Sequence, residues 1–284
     1  MSSRALIFIS LFWTSLSASG QVLLTKHAKD DRYPRWSPDG QYLSFESNRD
    51  GNWNIYIMKQ DGKDLLQVTK HAEQDRFATW HPSGQEILFC SDRTGKFELY
   101  RYNIETRQLG SVALDTITSD VIFPDYSPDG QQIAFTAHAN LFLTTVDGTP
   151  TSQLTDDSTR SLYPVWSPDQ GTLAFFSRRD TKGQTDDIYL YQLQESKLTR
   201  LTQWPTHNFA PSWSPNGRSL ICSTSLEGGR PELYTIDVQS GELRRVTTNS
   251  YGDTEPDWHP DQNLIAYACQ RAGNYDICLL PLEP

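Results

Sequence analysis

"TKHAKDDRYPRWSPDG" (Thr25 to Gly40) returns 44 residues later as "TKHAEQDRFATWHPSG" (Thr69 to Gly84). Self-similarity at this spacing marks an array of supersecondary units. Anchored on the turn and its Trp, the further copies are "FPDYSPDG" (Phe123 to Gly130), "YPVWSPDQG" (Tyr163 to Gly171), "APSWSPNG" (Ala210 to Gly217) and "EPDWHPDQ" (Glu255 to Gln262). The anchors Pro34, Ala78, Pro124, Pro164, Pro211 and Pro256 step by 44, 46, 40, 47 and 45 residues, room for four short strands per unit.

Within each unit the "SPDG" stretch supplies Pro where φ near −65° is wanted and Gly where φ turns positive, which reverses the chain. Apolar pieces follow: "YLSFES", "EILFCS", "QIAFTA", "LAFFSR", "LICSTS" and "LIAYAC", then "NIYIM", "ELYRY", "LFLTT", "DIYLY", "ELYTI" and "DICLL". A fourth stretch ends in an apolar residue and Thr at Thr69, Thr155, Thr202 and Thr247, nine residues before the next anchor. The sixth unit ends at Pro284 with no room for this stretch. "VLLT" (Val22 to Thr25) has the missing pattern and also stands nine residues before its anchor, Pro34. The expected fold is therefore all-β, a six-bladed β-propeller of four-stranded blades. The N-terminal strand completes the last blade and removes exposed sheet edges.

Composition narrows the partners. Lys and Arg number 25 against 35 Asp and Glu, a formal net charge of −10, which argues against nucleic acid or an anionic membrane surface. Residues 1–20 have the form of a signal peptide: Arg4, the apolar run Ala5 to Ser17, then small residues at Ala18 to Gly20. That run falls short of the ~20 residues that span a bilayer, so the mature chain, 21–284, is expected to be periplasmic or secreted, with no transmembrane segment and monomeric. Cys90 and Cys222 belong to blades two and five, on opposite sides of the ring, and cannot meet. Cys269 and Cys278 flank one hairpin in a diagonal register, and a disulfide between them is the open alternative to the buried thiols that are the default expectation for all four.

These units resemble the WSPDG-type repeats of the TolB family of periplasmic propellers over Val22 to Pro284. Two stretches are more specific. "HNFAP" (His207 to Pro211) is similar to that family's H-N-x-A-P loop, and "TEPDWHPDQNLIAY" (Thr254 to Tyr267) to its T-E-P-x-W segment. The resemblance implies a face that meets the peptidoglycan-associated lipoprotein, with His207, Ala210 and Thr254 in contact and Asn208 and Glu255 beside them. No counterpart of that family's N-terminal α/β domain is expected within residues 1–284.

Alternating strand direction puts the inter-blade loops on one face with the loops between second and third strands, and makes that face the candidate surface. Asp31, Asp75 and Asp253 stand three residues before their anchors in neighbouring blades, an acidic arc that suits Ca²⁺ at the channel mouth. The simpler alternative is solvated carboxylates paired with Arg32 and Arg76. His81 and His259 take the place of the turn Ser and are expected to cap turns, and His27 and His71 to be loop polarity. Arg49, Arg93, Arg179 and Arg271 are expected to brace turns. No G-x-S-x-G, H-E-x-x-H, P-loop or C-x-x-C is present. The leading expectation is a non-enzymatic envelope protein, without a cofactor, whose protein partner is an envelope lipoprotein of the peptidoglycan-associated type. The alternative is a carbohydrate-active or peptide-processing enzyme with a metal or acidic site at the channel mouth.

Overall fold

A computed structural model of the chain describes residues 20–156, 160–181, 185–249 and 251–282, excepting the side chains of Asn208 and Phe209. Apart from Gly20, the expected leader lies outside the described residues. Six antiparallel four-stranded sheets form the molecule, each but the last taking consecutive strands from inside to outside. The innermost strands are Asp31–Trp36, Asp75–Trp80, Val121–Tyr126, Ser161–Trp166, Asn208–Trp213 and Asp253–Trp258. Among the described residues no helix is long and apolar enough to cross a membrane.

The second strands, such as Tyr42–Ser47 and Thr172–Ser177, are buried at every residue after the first because neighbouring blades cover both of their faces. Core clusters accordingly lie between blades. At the seam, Trp36, Phe45 and Met58 of blade one pack on Ala266, Ile277 and Leu279 of blade six, with Val22 and Leu24 against them.

The ring closes as its repeats require. Val22 pairs with Leu279 and Leu23 with Cys278, and the Leu24 amide donates to the Ile277 carbonyl at 2.8 Å. Thr25 shows why the fourth stretch ends in Thr. Its hydroxyl accepts from the Ile277 amide at 2.9 Å, as Thr69, Thr155, Thr202 and Thr247 accept from Ile55, Leu141, Ile188 and Leu233 at 2.9–3.0 Å. Each of these hydroxyls also faces a side chain of the third strand, as Thr202 donates to Asp187 at 2.9 Å. A buried Thr thus satisfies two polar groups where the outer strand ends.

His81 and His259 cap their turns: Nδ1 of His81 accepts from the Ser83 amide at 3.2 Å, and Nδ1 of His259 from the Asp261 amide at 3.0 Å. Each ring also reaches the next blade. A Cβ on Gly40, where φ is +68°, would lie 2.4 Å from the His259 ring, so this turn takes glycine for conformation and for room. Of the two states open to Cys269 and Cys278, the structure has the disulfide, with Cα atoms 5.9 Å apart; Cys90 and Cys222 are free and buried. The diagonal register holds, since Cys269 pairs with Asp276 and Cys278 with Tyr267, and strand twist brings the diagonal pair within reach.

Candidate functional site

Every innermost strand breaks its register at the residue before the anchor. Tyr33, Phe77, Phe123, Tyr163, Ala210 and Glu255 all have φ between 50° and 61°, and the ladder skips at each. A bulge of this kind bends the strand and re-aims the side chain, and six copies around a closed ring aim six side chains at the axis. Four are aromatic and form a plug. Ring centroids lie 5.5 Å apart for Tyr33 and Phe77, 4.3 Å for Phe77 and Phe123, 4.4 Å for Phe123 and Tyr163, and 6.4 Å for Tyr33 and Tyr163.

Charged clamps support the plug. Glu255 accepts the Tyr33 amide at 2.9 Å and two bonds from Arg32, at 2.5 and 3.3 Å, across the seam. Glu46 repeats the arrangement one blade on, with the Phe77 amide at 2.5 Å and Arg76 Nε at 2.9 Å. Burial pushes the Glu46 carboxyl up while Arg76 and the amide pull it back. Beneath the plug, Asp125 accepts the Trp166 amide at 2.9 Å and the Thr79 hydroxyl at 3.1 Å, and Asp257 accepts the Trp36 amide at 2.8 Å and the Ser212 hydroxyl at 3.0 Å. Burial raises both acids, Asp125 to about 7.

The plug is incomplete on the side of blade five. Ala210 holds the bulge there, and a cavity of about 260 Å³ opens between it, Tyr33, Phe123 and Tyr163 on one side and Arg32, Thr254 and Glu255 on the other. Arg160 also lines it and is exposed. The Thr254 hydroxyl is buried and has no hydrogen-bond partner among the described residues. Three of the five expected contact residues, Ala210, Thr254 and Glu255, therefore share one cavity. Glu255 is buried and enters as a brace for Arg32 and Tyr33. His207 is not part of the cavity lining. Its side chain is 46% exposed, with Nδ1 2.7 Å from Asp186, which Arg178 also holds at 2.7 Å. Burial opposes ionisation of Asp186, yet the bonds from Arg178 and His207 keep it below the ordinary carboxylate range. Asn208 lies on the innermost strand, paired with Thr224, and its side chain is outside the described residues.

The three aspartates of the expected acidic arc are buried and engaged. Each is the buried first residue of its strand. Asp31 is paired with Arg49 at 2.8 Å and Asp75 with Arg93 at 2.9 Å, while Asp253 accepts from Asn249 at 2.5 Å. Among the described residues no group of three His, Cys, Asp or Glu is placed to hold a metal ion. Arg32 and Arg76, expected opposite Asp31 and Asp75, reach instead to Glu255 and Glu46 of the preceding blades. Arg160, Asp186 and the six left-handed positions carried no sequence signal beyond the repeat itself; a residue before Pro is ordinarily extended.

Comparison with known proteins bears on the whole ring. The family described as the TolB beta propeller domain matches residues 10–141 and 139–283. The chain belongs to this family. The TolB β-propeller relatives include an uncharacterised Agrobacterium fabrum protein, 28% identical over 53% of this chain and 51% of its own. An uncharacterised Bacillus subtilis peptidase is 29% identical over 55% of this chain and 31% of its own. The Tol-Pal system protein TolB of Ruthia magnifica is 33% identical over 31% and 20%. The chain thus spans about half the length of the first of these and less of the others. Among solved structures, a putative TolB from Agrobacterium tumefaciens superposes with TM-score 0.71 at 17% identity, covering 92% of this chain and 93% of that one. An oligogalacturonate lyase in complex with manganese gives 0.63 at 14% identity, covering 94% of each. At these identities the superpositions speak for the fold alone.

Proposed function

We propose that this TolB-like propeller is a protein-binding module of the cell envelope, exported by residues 1–20, and that its partner is an envelope lipoprotein of the peptidoglycan-associated type. The gap at Ala210 carries the reading. Where four blades fill the axis with an aromatic ring, blade five leaves a polar-edged cavity with an unsatisfied buried hydroxyl at Thr254, a shape that accepts a protruding side chain. The carboxylates that a metal or acidic enzyme site would use are engaged, Asp31 by Arg49, Asp75 by Arg93 and Glu255 by Arg32. Turnover of a pectic or peptidic substrate that depends on metal and is lost in Asp31→Asn would favour that alternative.

The test uses the repeat against itself. Ala210→Tyr places at blade five the residue that blades one and four carry at the same left-handed position, so folding should be preserved while the cavity is filled. Binding to the anchor-free lipoprotein of the source organism should weaken at least about tenfold, ~1.4 kcal/mol, with an unchanged melting temperature. Unaltered binding would remove the cavity from the account.

A further inference from the structure

In blades one, two and four an arginine is held the same way. Arg49, Arg93 and Arg179 donate from Nε to Ser47, Ser91 and Ser177 at 2.8, 2.8 and 3.2 Å, and stack over Tyr56, Tyr100 and Tyr189 at 4.6, 4.3 and 5.3 Å. Where the innermost strand begins with Asp, the far end of the guanidinium reaches it, Arg49 to Asp31 and Arg93 to Asp75. Arg271 and Asp253 repeat the separation of 18 residues in blade six. There the clamp is gone. Cys269 faces Asp253 in the ladder, as Ser47 faces Asp31, and Cys278 faces Tyr267, as Tyr56 faces Phe45. The disulfide thus occupies both the accepting and the stacking position.

The consequences are visible in the partners. Among the described residues Arg271 Nε is buried without an acceptor, and Oδ1 of Asp253 is buried without a donor. The Arg271 Nη2 donates instead to Oε1 of Gln21, whose amide nitrogen in turn donates to the Tyr267 hydroxyl. Gln21 immediately precedes the two-residue strand that closes the ring. We propose that the blade-six disulfide displaces Arg271 from Asp253 and makes it the anchor of the closing segment, so that Gln21 and Asp253 are alternative acceptors for one guanidinium. The seam is thereby coupled to the strand that begins at Asp253 and carries Thr254 and Glu255. The inference rests on the geometry of the blades and not on the partner-binding reading.

Hydrogen exchange at the Leu24 amide, bonded to the Ile277 carbonyl, reports on the closing segment in the full chain. Gln21→Ala should speed this exchange roughly tenfold, the effect of losing one hydrogen bond to a charged group. It should do so again in Cys269→Ala/Cys278→Ala, where the clamp is still absent. In Cys269→Ser/Cys278→Tyr, which rebuilds the clamp and returns Arg271 to Asp253, Gln21→Ala should have a clearly smaller effect, since only contacts other than Arg271, such as the bond to Tyr267, are then lost. An equal acceleration there, or none in the parent chain, overturns the proposal. Should the rebuilt blade not fold, Arg271→Met serves in its place: Gln21→Ala on that background should add clearly less than in the parent chain, and a fully additive effect overturns the assignment.

Discussion

At the scale of single residues, the ring works by exceptions to its own repeat. Ala210 is one, and Asp253 is another. Burial raises the Asp253 carboxyl to about 6 from an ordinary 3.8, against the pull of Asn249 and Thr247. A folded-state pKa above the unfolded one means that the stability it supports is present below pH 4 and is lost as the pH rises through about 6. Asp253→Asn should therefore be more stable than the parent at pH 8, by at most about 3 kcal/mol, and no more stable at pH 4. Denaturant unfolding at the two pH values checks the sign. The cavity residues were legible in the sequence only in part. Ala210 and Thr254 stand out through their loop motifs, but nothing local shows that Arg32 would leave its neighbour Asp31 for Glu255, because that pair exists only once the ring has closed.

At the scale of the strand, the fourth stretch of each blade is short and is fastened by its Thr. Thr202 is buried, accepts the Ile188 amide and donates to Asp187. Thr202→Val keeps the shape and removes both bonds, so it should destabilise the protein by about 1–3 kcal/mol, the penalty for orphaned buried polar groups. The same change at exposed Thr106, in the turn after Asn103, should fall within about 0.5 kcal/mol. Strand number and order could be read from the sequence because "SPDG" turns and apolar runs recur at nearly fixed steps. The bulge could not, since its signal, a residue before Pro, predicts extended backbone, and left-handed φ at Tyr33 or Phe123 is fixed by the channel around it. The sequence left the disulfide open for a related reason: spacing gave the diagonal register, and only the twist of blade six decided that the sulfurs meet.

At the scale of the molecule, closure makes the face. The seam buries Val22 and Leu24 against Trp36, Phe45 and Leu279, and without it the third strand of blade six becomes an open edge. A chain lacking Val22 to Thr25 should aggregate or melt at a markedly lower temperature, as light scattering and calorimetry would register; a soluble product with unchanged melting would mean that the ring closes elsewhere. The cavity depends on the same closure, since Arg32 of blade one and Glu255 of blade six line it together.

The central claim, that a partner enters where blade five lacks its aromatic residue, is tested most directly by titrating isotope-labelled propeller with the anchor-free lipoprotein and following backbone resonances. Shifts should centre on Arg160, Ala210 and Thr254 and spare the turns at Gly84, Gly130 and Gly217 on the opposite face. Shifts confined to those turns, or none at saturating partner, would contradict it.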